Sequence, residues 1–270
     1  MTNRFLPFLT AAAIGLALHA GPAAADTISF GSNVFMNGST NLPYTTNISG
    51  APNATNGTVN AGGFAGFLNG SATSTYFWCD DLFQFLQSGT STYSTAIVGN
   101  GTLLSQYATT LTTTTANGLQ ALLVNGQPFI TSHNVPTNGT VTGTTSAQVS
   151  AALQVAVWAV VYNGSAAAVN LNTNKFYLGS SAPDAGVLAD ANYMLSCVFG
   201  GTIGGQLCGT TWSPSASQQL TNYSLAGHQS LLALTPVADT SVPEPTSMLL
   251  LAGGLAGLGA IRRKLATKRG

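Results

Sequence analysis

The sequence predicts an α+β fold: a β-rich secreted domain with two or so packed helices, a signal peptide before it and a single membrane-spanning helix after it. Asn-Gly pairs recur along the chain and are typical of turns between short strands. Residues 147–162 contain no Gly or Pro and predict a helix of several turns. Each end of the chain carries an apolar stretch with basic residues nearby. A purely β sandwich is the alternative fold.

Residues 1–25 have the features of a secretory signal peptide. Arg4 is the only charged residue before an apolar stretch, and the small residues Ala23 and Ala25 form a cleavage site suited to a signal peptidase. We therefore expect the mature chain to begin at Asp26. A membrane anchor is the alternative, but the apolar core is short and ends in glycine, proline and alanines.

The first half of the secreted domain, residues 26–237, is predicted to consist mainly of strands and loops. Aromatic residues at 76–78 predict a buried strand that leads into Cys79. The other predicted segments are a strand over 27–35, a loop-rich region over 37–63, weak helical spacing over 102–123 and a polar connector over 141–145.

The second half holds the strongest helix prediction, over residues 147–162, with Ser146 as its N-cap and Gly164 at its C-terminal end. Four residues at helical spacing predict one core face: Val149, Leu153, Ala156 and Val160. The remaining predictions are a second helix from Pro183 through Leu195, a Gly-rich loop over 200–209 and a final strand over 229–234.

The charge distribution excludes a nucleic-acid groove. Lys175 is the only basic residue among residues 26–245, which also hold seven acidic residues and so carry a net charge of −6. Phosphate binding needs clustered Lys and Arg. Neither a metal-ligand motif nor a hydrolase or phosphate-loop motif is found. We therefore expect no metal, no cofactor and no enzymatic activity.

The C-terminal region has three parts in a fixed order. Residues 238–247 form a linker that contains a stiff polar turn, residues 248–261 form an apolar segment, and residues 262–270 are basic. The order resembles the PEP-CTERM sorting signal of exported proteins of Gram-negative bacteria. An ordinary tail anchor is the alternative. The residues that carry the resemblance are Val242, Pro243, Glu244 and Pro245 in the motif, and Arg262, Arg263 and Lys264 at the stop-transfer end.

That resemblance implies a partner and a destination. In the family, a membrane protease-transpeptidase, exosortase, is thought to recognise the motif and to process the protein for the cell surface or the exopolysaccharide matrix. The expected location is therefore the inner membrane, with a periplasmic domain, before processing, and the surface or extracellular matrix afterwards.

Two segments of the domain resemble the motifs of bacterial thioester domains. An aromatic strand leads into Cys79, and Gln154 lies in the strongest predicted helix, four residues before a tryptophan. The resemblance implies an internal thioester between Cys79 and Gln154, and an α+β fold. The chain departs from that family at Ala159 and Asn163, where the family often has acidic residues. The residues expected around the bond are Phe77, Trp78, Asp81 and Trp158.

The cysteine count separates Cys79 from the other two cysteines. Secretion favours disulfides, and Cys197 and Cys208 flank a flexible Gly-rich loop, so we predict that they form a disulfide. Cys79 is then the odd cysteine. It is either masked as a thioester or a buried thiol, and in the second case Gln154 is a hydrogen-bonded core amide.

Two functions follow from these patterns. The first is a sorted surface or matrix protein whose thioester attaches it covalently, as a single-use adhesin, to a surface polysaccharide or an amine-bearing target. The second is a passive structural or glycan-binding matrix protein with no reactive bond. A hydrolase is a distant third.

Overall fold

The computed structural model describes residues 25–51, 57–133, 135–136, 145–164, 167–178 and 185–237. The predicted signal peptide up to residue 24, the sorting motif, the apolar segment and the basic tail lie outside the described residues. So do residue 183, where the second helix was predicted to start, and most of the predicted connector over 141–145. Among the residues that are described, no helix is long and apolar enough to cross a membrane.

The described part contains eleven strands and three helices. The strands are β1 (Ala25–Phe35), β2 (Thr40–Thr46), β3 (Gly57–Ala61), β4 (Phe64–Leu68), β5 (Thr75–Cys79), β6 (Gly89–Ile97), β7 (Phe176–Leu178), β8 (Thr202–Ile203), β9 (Gln206–Leu207), β10 (Gln218–Ser224) and β11 (Leu231–Pro236). The helices are α1 (Thr113–Ser132), α2 (Ser146–Asn163) and α3 (Ala185–Phe199). The α+β prediction is confirmed for this part of the chain, and the purely β alternative is wrong.

Six strands close into a barrel in the order β1-β4-β5-β11-β10-β6. The pairings β1 with β4, β1 with β6 and β4 with β5 are antiparallel, as are those of β10 with β6 and β11 with β5. Aromatic rings fill part of the core: Phe77 meets Phe30 and Tyr223 edge to face, with ring centroids 5.9 and 5.4 Å apart. Closure leaves the first and last strands of the barrel paired on both sides.

The remaining strands form two small sheets. β2 pairs with β3 on one side and β7 on the other, and β8 and β9 form a short hairpin. The hairpin replaces part of the predicted loop over 200–209. The predicted strands near both ends of the domain are present, with their bounds shifted to Ala25–Phe35 and Leu231–Pro236.

Helix α2 is the centre of the fold. It contacts α1, α3 and four of the strands, and every residue from Val149 to Tyr162 is buried. The sequence predicted one core face; the helix is instead covered on all sides, as its nearly unbroken apolar composition requires. Thr145, not Ser146, is the N-cap, because its hydroxyl accepts from the amide of Gln148, whose side chain bonds back to the Thr145 amide. Gly164 ends the helix in the left-handed conformation.

Helix α1 corrects a second prediction. Two Asn-Gly pairs that predicted turns, at 117 and 125, lie inside this helix. Their glycines allow close helix packing: a Cβ on Gly118 would lie 2.8 Å from the ring of Phe199, and one on Gly126 would lie 2.7 Å from a methyl carbon of Leu153. Thr112 is the N-cap of α1 and forms a capping box with Thr115.

Candidate functional site

Cys79 is the last residue of β5 and is almost fully buried. The antiparallel register pairs Cys79 with Leu231 and Trp78 with Leu232. Continuing this register beyond the end of the ladder places Ser230 opposite Asp80, and the Asp80 amide donates to the Ser230 carbonyl at 3.3 Å. The residues that follow Cys79 and those that precede β11 therefore face each other.

Gln154 meets the main chain of Cys79. Its Oε1 accepts a hydrogen bond from the Cys79 amide at 2.9 Å, and its Nε2 donates to the Cys79 carbonyl at 2.7 Å. The Gln154 side chain is buried, so both polar atoms of its amide are satisfied by the end of β5. The structure brings Gln154 to Cys79, but these hydrogen bonds join the amide to the backbone of Cys79 and not to its sulfur.

Gln229, which the sequence reading took only as the first residue of a strand, reaches the sulfur. Its Nε2 donates to Cys79 Sγ, and also to the Asp81 carbonyl at 3.1 Å. In the β5–β11 register Gln229 is the diagonal neighbour of Cys79, a position from which a long side chain can reach across. Its own amide donates to the Phe85 carbonyl at 3.0 Å, which fixes the main chain at this point.

The Cys79 sulfur makes hydrogen bonds to Gln229 and to the Asp81 carbonyl within an apolar core. Its thiol donates to the Asp81 carbonyl at 3.0 Å. Burial, followed by the charge of Asp80, raises the pKa of the thiol well above its usual value, while the indole of Trp158 opposes the shift. The Trp158 N–H is buried and makes no hydrogen bond within the described part of the chain. The thiol is therefore protonated at neutral pH.

Asp80 is a buried carboxyl that accepts from two side chains, one on β10 and one in the turn between β10 and β11. The Ser230 hydroxyl donates to one carboxyl oxygen, and Asn222 Nδ2 donates to the other at 2.7 Å. Burial raises the pKa of Asp80 to about 8, against the opposing effect of the Ser230 hydrogen bond. Because Ser230 adjoins Gln229 in the chain, this network holds the turn that carries Gln229.

Tyr162, eight positions beyond Gln154 on α2, supports the chain just after Asp81. Its hydroxyl accepts from the Leu82 amide at 2.8 Å and donates to the Asp80 carbonyl at 3.3 Å. The Asp81 carboxylate accepts from the Phe83 amide at 3.0 Å. The loop after β5 is thus anchored from within the core as well as by its own turn.

The other predicted site residues divide into two groups. The Asp81 carbonyl accepts from the Cys79 thiol, and the Trp158 indole acts to lower the pKa of that thiol. Phe77 packs inside the barrel, and Trp78 stacks on Tyr76 with centroids 6.0 Å apart, so both belong to the core beside the site. Cys197 and Cys208 form a disulfide, and Cys79 is the free, buried cysteine of the described residues.

A cleft of about 400 Å³ borders Gln229. Its lining comes from β2, β3 and the chain after β5, together with β1 and the start of β4. Among the described residues, the lining holds no charged side chain: Val34, Phe35, Tyr44, Thr58, Val59, Asn60, Phe64, Leu82, Phe83, Gln84, Phe85, Leu86 and Gln229. The ring of Phe85 is 89% exposed, so it forms an accessible part of this wall.

Sequence reasoning missed Gln229, Ser230 and Asn222. Each is a polar residue in or next to a strand, and each becomes informative only when the last strand is paired with the strand that carries Cys79. The distance in sequence between Cys79 and Gln229 gives no hint of that pairing. The sequence shows the polar pair Gln229-Ser230 directly before an apolar strand, but this local feature does not identify Cys79 as its partner.

Comparison with known proteins identifies the C-terminal region. Residues 241–264 match the PEP-CTERM protein-sorting motif. The motif implies an exported protein that is anchored in the membrane before an exosortase processes it. The predicted motif residues, Val242 to Pro245, and the basic residues Arg262, Arg263 and Lys264 lie within the match. No curated protein sequence matches the chain.

Two solved structures are similar to the described fold at low identity. One is the N-terminal domain of the Streptococcus pyogenes pilus tip adhesin Cpa, with 16% identity, a TM-score of 0.42, and coverage of 73% of this chain and 94% of the other. The second is the N-terminal thioester domain of a surface protein from Clostridium perfringens, in a cysteine-to-alanine variant. It has 12% identity, a TM-score of 0.41, and coverage of 73% of this chain and 99% of the other.

Proposed function

We propose that this exported protein is delivered to the cell surface or the exopolysaccharide matrix, and attaches there through an internal thioester between Cys79 and Gln229. The observation that carries the proposal is the contact of Gln229 Nε2 with Cys79 Sγ. The carbonyl carbon of an amide is bonded directly to its nitrogen, so this contact brings a carboxamide and a buried thiol together at the side of a cleft.

This assignment replaces the predicted partner, Gln154, with Gln229. Both atoms of the Gln154 amide are engaged by the main chain of Cys79, at 2.9 and 2.7 Å. Attack on Gln154 would break two buried hydrogen bonds and leave two backbone groups unpaired, which costs about 1–3 kcal/mol for each group. Gln154 is thus better suited to position Cys79 than to react with it.

Formation of the thioester requires no reactant other than the Cys79 thiol and the Gln229 amide. Cys79 Sγ attacks the carboxamide carbon of Gln229, the C–S bond forms and the C–N bond breaks. The thiol proton and the amide nitrogen leave together as ammonia. Burial keeps the thiol protonated, and its S–H donates to the Asp81 carbonyl in the structure, so the S–H bond rotates towards the neighbouring nitrogen before the proton is transferred to it. The surrounding core keeps water from the thioester once it has formed.

The reacted protein would remain attached to its target. An amine or hydroxyl on a neighbouring surface attacks the thioester carbonyl and becomes joined to residue 229, while Cys79 is released as a thiol. No turnover follows, so the activity is that of a single-use adhesin. Once the tail is removed, Lys175 is the only side-chain amine of the secreted domain, which limits reaction of the protein with itself.

Intact mass spectrometry of the exported protein tests the proposal. The thioester predicts a mass lower by one ammonia, and methylamine is expected to add at Gln229. Cys79→Ala abolishes both changes, and Gln229→Glu, which has no amide nitrogen to lose as ammonia, should abolish them as well. Methylamine on residue 154 would overturn the assignment to Gln229. An unmodified Gln229 with a freely alkylated Cys79 after unfolding would overturn the thioester.

A passive matrix protein is the second candidate, and one observation favours it. Burial raises the pKa of the Cys79 thiol, as expected of an inert core cysteine. The Cys79→Ala variant separates the two functions. Lost covalent capture with unchanged stability supports the adhesin, whereas reduced stability with no captured target at any stage supports the passive role.

A further inference from the structure

We propose that the acceptor of the Cys79–Gln229 thioester is the hydroxyl group of a neutral saccharide, bound in the cleft that borders Gln229. The inference rests on the proposed function and names the class of target. Gln229 is itself one of the residues that line this cleft.

The cleft is the route to the reacting carbon. Cys79 is almost fully buried and Gln229 is 7% exposed, so a target must approach through the space that Gln229 itself lines. Leu82 and Phe83, which follow Cys79 closely in the chain, form another part of the same wall. A group held in the cleft is therefore next to the bond that would be broken.

The absence of charge in this lining disfavours an ammonium. Removing a lysine ammonium from water without a carboxylate partner costs several kcal/mol. A cation held over an aromatic face recovers only about 0.5–2 kcal/mol. At pH 7 only about one lysine amine in 2,500 is unprotonated, because its pKa is about 10.4. A lysine side chain is therefore a poor occupant, while an uncharged hydroxyl does not incur this penalty.

The polar groups of the cleft suit a sugar. Asn60 and Gln84 offer amide donors and acceptors, and Thr58 offers a hydroxyl. The exposed ring of Phe85 presents an apolar surface to solvent on which the C–H face of a pyranose can lie. Rings that provide contact area, together with a few uncharged hydrogen-bonding groups, fit a neutral oligosaccharide better than an acidic or basic one.

Transfer to the saccharide requires no reactant other than the thioester and the sugar hydroxyl. A sugar hydroxyl oxygen attacks the carbonyl carbon at residue 229, a C–O bond forms and the C–S bond breaks. The hydroxyl proton ends on the Cys79 sulfur, which leaves a thiol and an ester-linked saccharide. An ester at this position, unlike the amide that a lysine would form, is cleaved by hydroxylamine.

The test uses the full exported protein, offered maltotriose and Nα-acetyl-lysine methylamide at equal concentration and neutral pH. We expect a hydroxylamine-labile maltotriose adduct at Gln229 that forms at least about tenfold faster than the lysine adduct. Phe85→Ala should slow the maltotriose reaction, and Phe67→Ala, an exposed phenylalanine on β4, should leave it unchanged. A lysine adduct that forms as fast, or no saccharide adduct, would overturn the inference.

The starting mass of the protein separates this inference from the proposed function. Protein that lacks one ammonia but forms no saccharide ester retains the thioester and refutes only the saccharide target. Protein that has not lost ammonia refutes both. A saccharide adduct that Phe85→Ala leaves unchanged would contradict the role of the cleft.

Discussion

The side-chain amide of Gln154 forms two hydrogen bonds with the main chain of Cys79, one to its N–H and one to its carbonyl. A helix buried on all sides thereby holds the end of a barrel strand through one polar residue. The arrangement separates two roles that the sequence assigned to a single glutamine. Gln154 positions Cys79, and Gln229 presents an amide to its sulfur.

The first prediction concerns this positioning role. Gln154→Leu leaves two buried backbone groups of Cys79 without partners, so it should lower the free energy of unfolding by about 2–5 kcal/mol. Urea unfolding followed by tryptophan fluorescence measures the change, with all variants made in a Cys79→Ala background. Gln106→Leu, at an exposed position, is the control and should change stability by less than about 0.5 kcal/mol. A comparable result for Gln154→Leu would show that the two hydrogen bonds contribute little.

The second prediction compares two buried tyrosines. Tyr162→Phe leaves the Leu82 amide unpaired and should destabilise the protein by about 1–3 kcal/mol. The hydroxyl of Tyr223 is buried with no hydrogen-bond partner among the described residues, so Tyr223→Phe should be neutral or stabilising. Thermal unfolding of both variants gives the comparison. Equal losses would mean that the Tyr162 hydroxyl does not support the loop after β5.

Local patterns in the sequence were sufficient to predict α2. The lack of Gly and Pro over 147–162 marks a helix wherever the chain places it, and Gly164 marks its end. Its burial on all sides was not predicted, because burial depends on α1, α3 and the strands that surround it. Helix α1 was obscured because its Asn-Gly pairs are turn signals by local chemistry, whereas Gly118 and Gly126 are required by side chains of α3 and α2.

The candidate site also depends on contacts that local sequence patterns do not predict. The aromatic strand before Cys79 and the helix around Gln154 are local features, and the sequence predicted that they meet. The partner of the sulfur comes from the pairing of β5 with β11, which are far apart in the chain. Strand pairing over such a separation is set by the closure of the whole barrel, so no local pattern identifies Gln229.

The third prediction concerns pH. Burial raises the pKa of Asp80 to about 8, whereas an aspartate in the unfolded chain has a pKa of about 3.9. Between these values the folded state binds the additional proton, so the stability contributed by Asp80 is full below about pH 4 and is lost as the pH rises towards about 8. Over this window the slope approaches about 1.4 kcal/mol per pH unit. Groups facing Asp80 include Asp81, Cys79 and Tyr162.

Asp80→Asn isolates this effect. Its amide can accept from Asn222 and donate to Ser230, whose hydroxyl can then donate to the Leu104 carbonyl, 3.3 Å away. The variant should therefore fold and should lose less stability than the wild type as the pH rises from 5 to 8. Urea midpoints across that range measure the difference. Asp81→Asn is the control, with a smaller change expected because that side chain is only half-buried. Parallel pH profiles for Asp80→Asn and the wild type would contradict a protonated Asp80.

The fourth prediction concerns delivery. The PEP-CTERM motif implies recognition by an exosortase, and Pro243, Glu244 and Pro245 are the predicted recognition residues within the match. Changing Pro243-Glu244-Pro245 to Ala-Gln-Ala should block recognition by the exosortase and leave full-length protein in the inner membrane. Cell fractionation with an antibody to the secreted domain measures both location and size.

Asp239→Asn and Thr240→Ala, which lie just before the matched residues 241–264, are controls and should be delivered normally. Normal delivery of the Ala-Gln-Ala variant would remove the sorting role of the motif. Retention of the controls would assign that role to the linker as well. A retained variant also keeps its basic tail, which holds five of the seven basic residues of the chain. Two of these are lysines, so the retained protein carries side-chain amines with which a thioester can react and which the processed domain lacks.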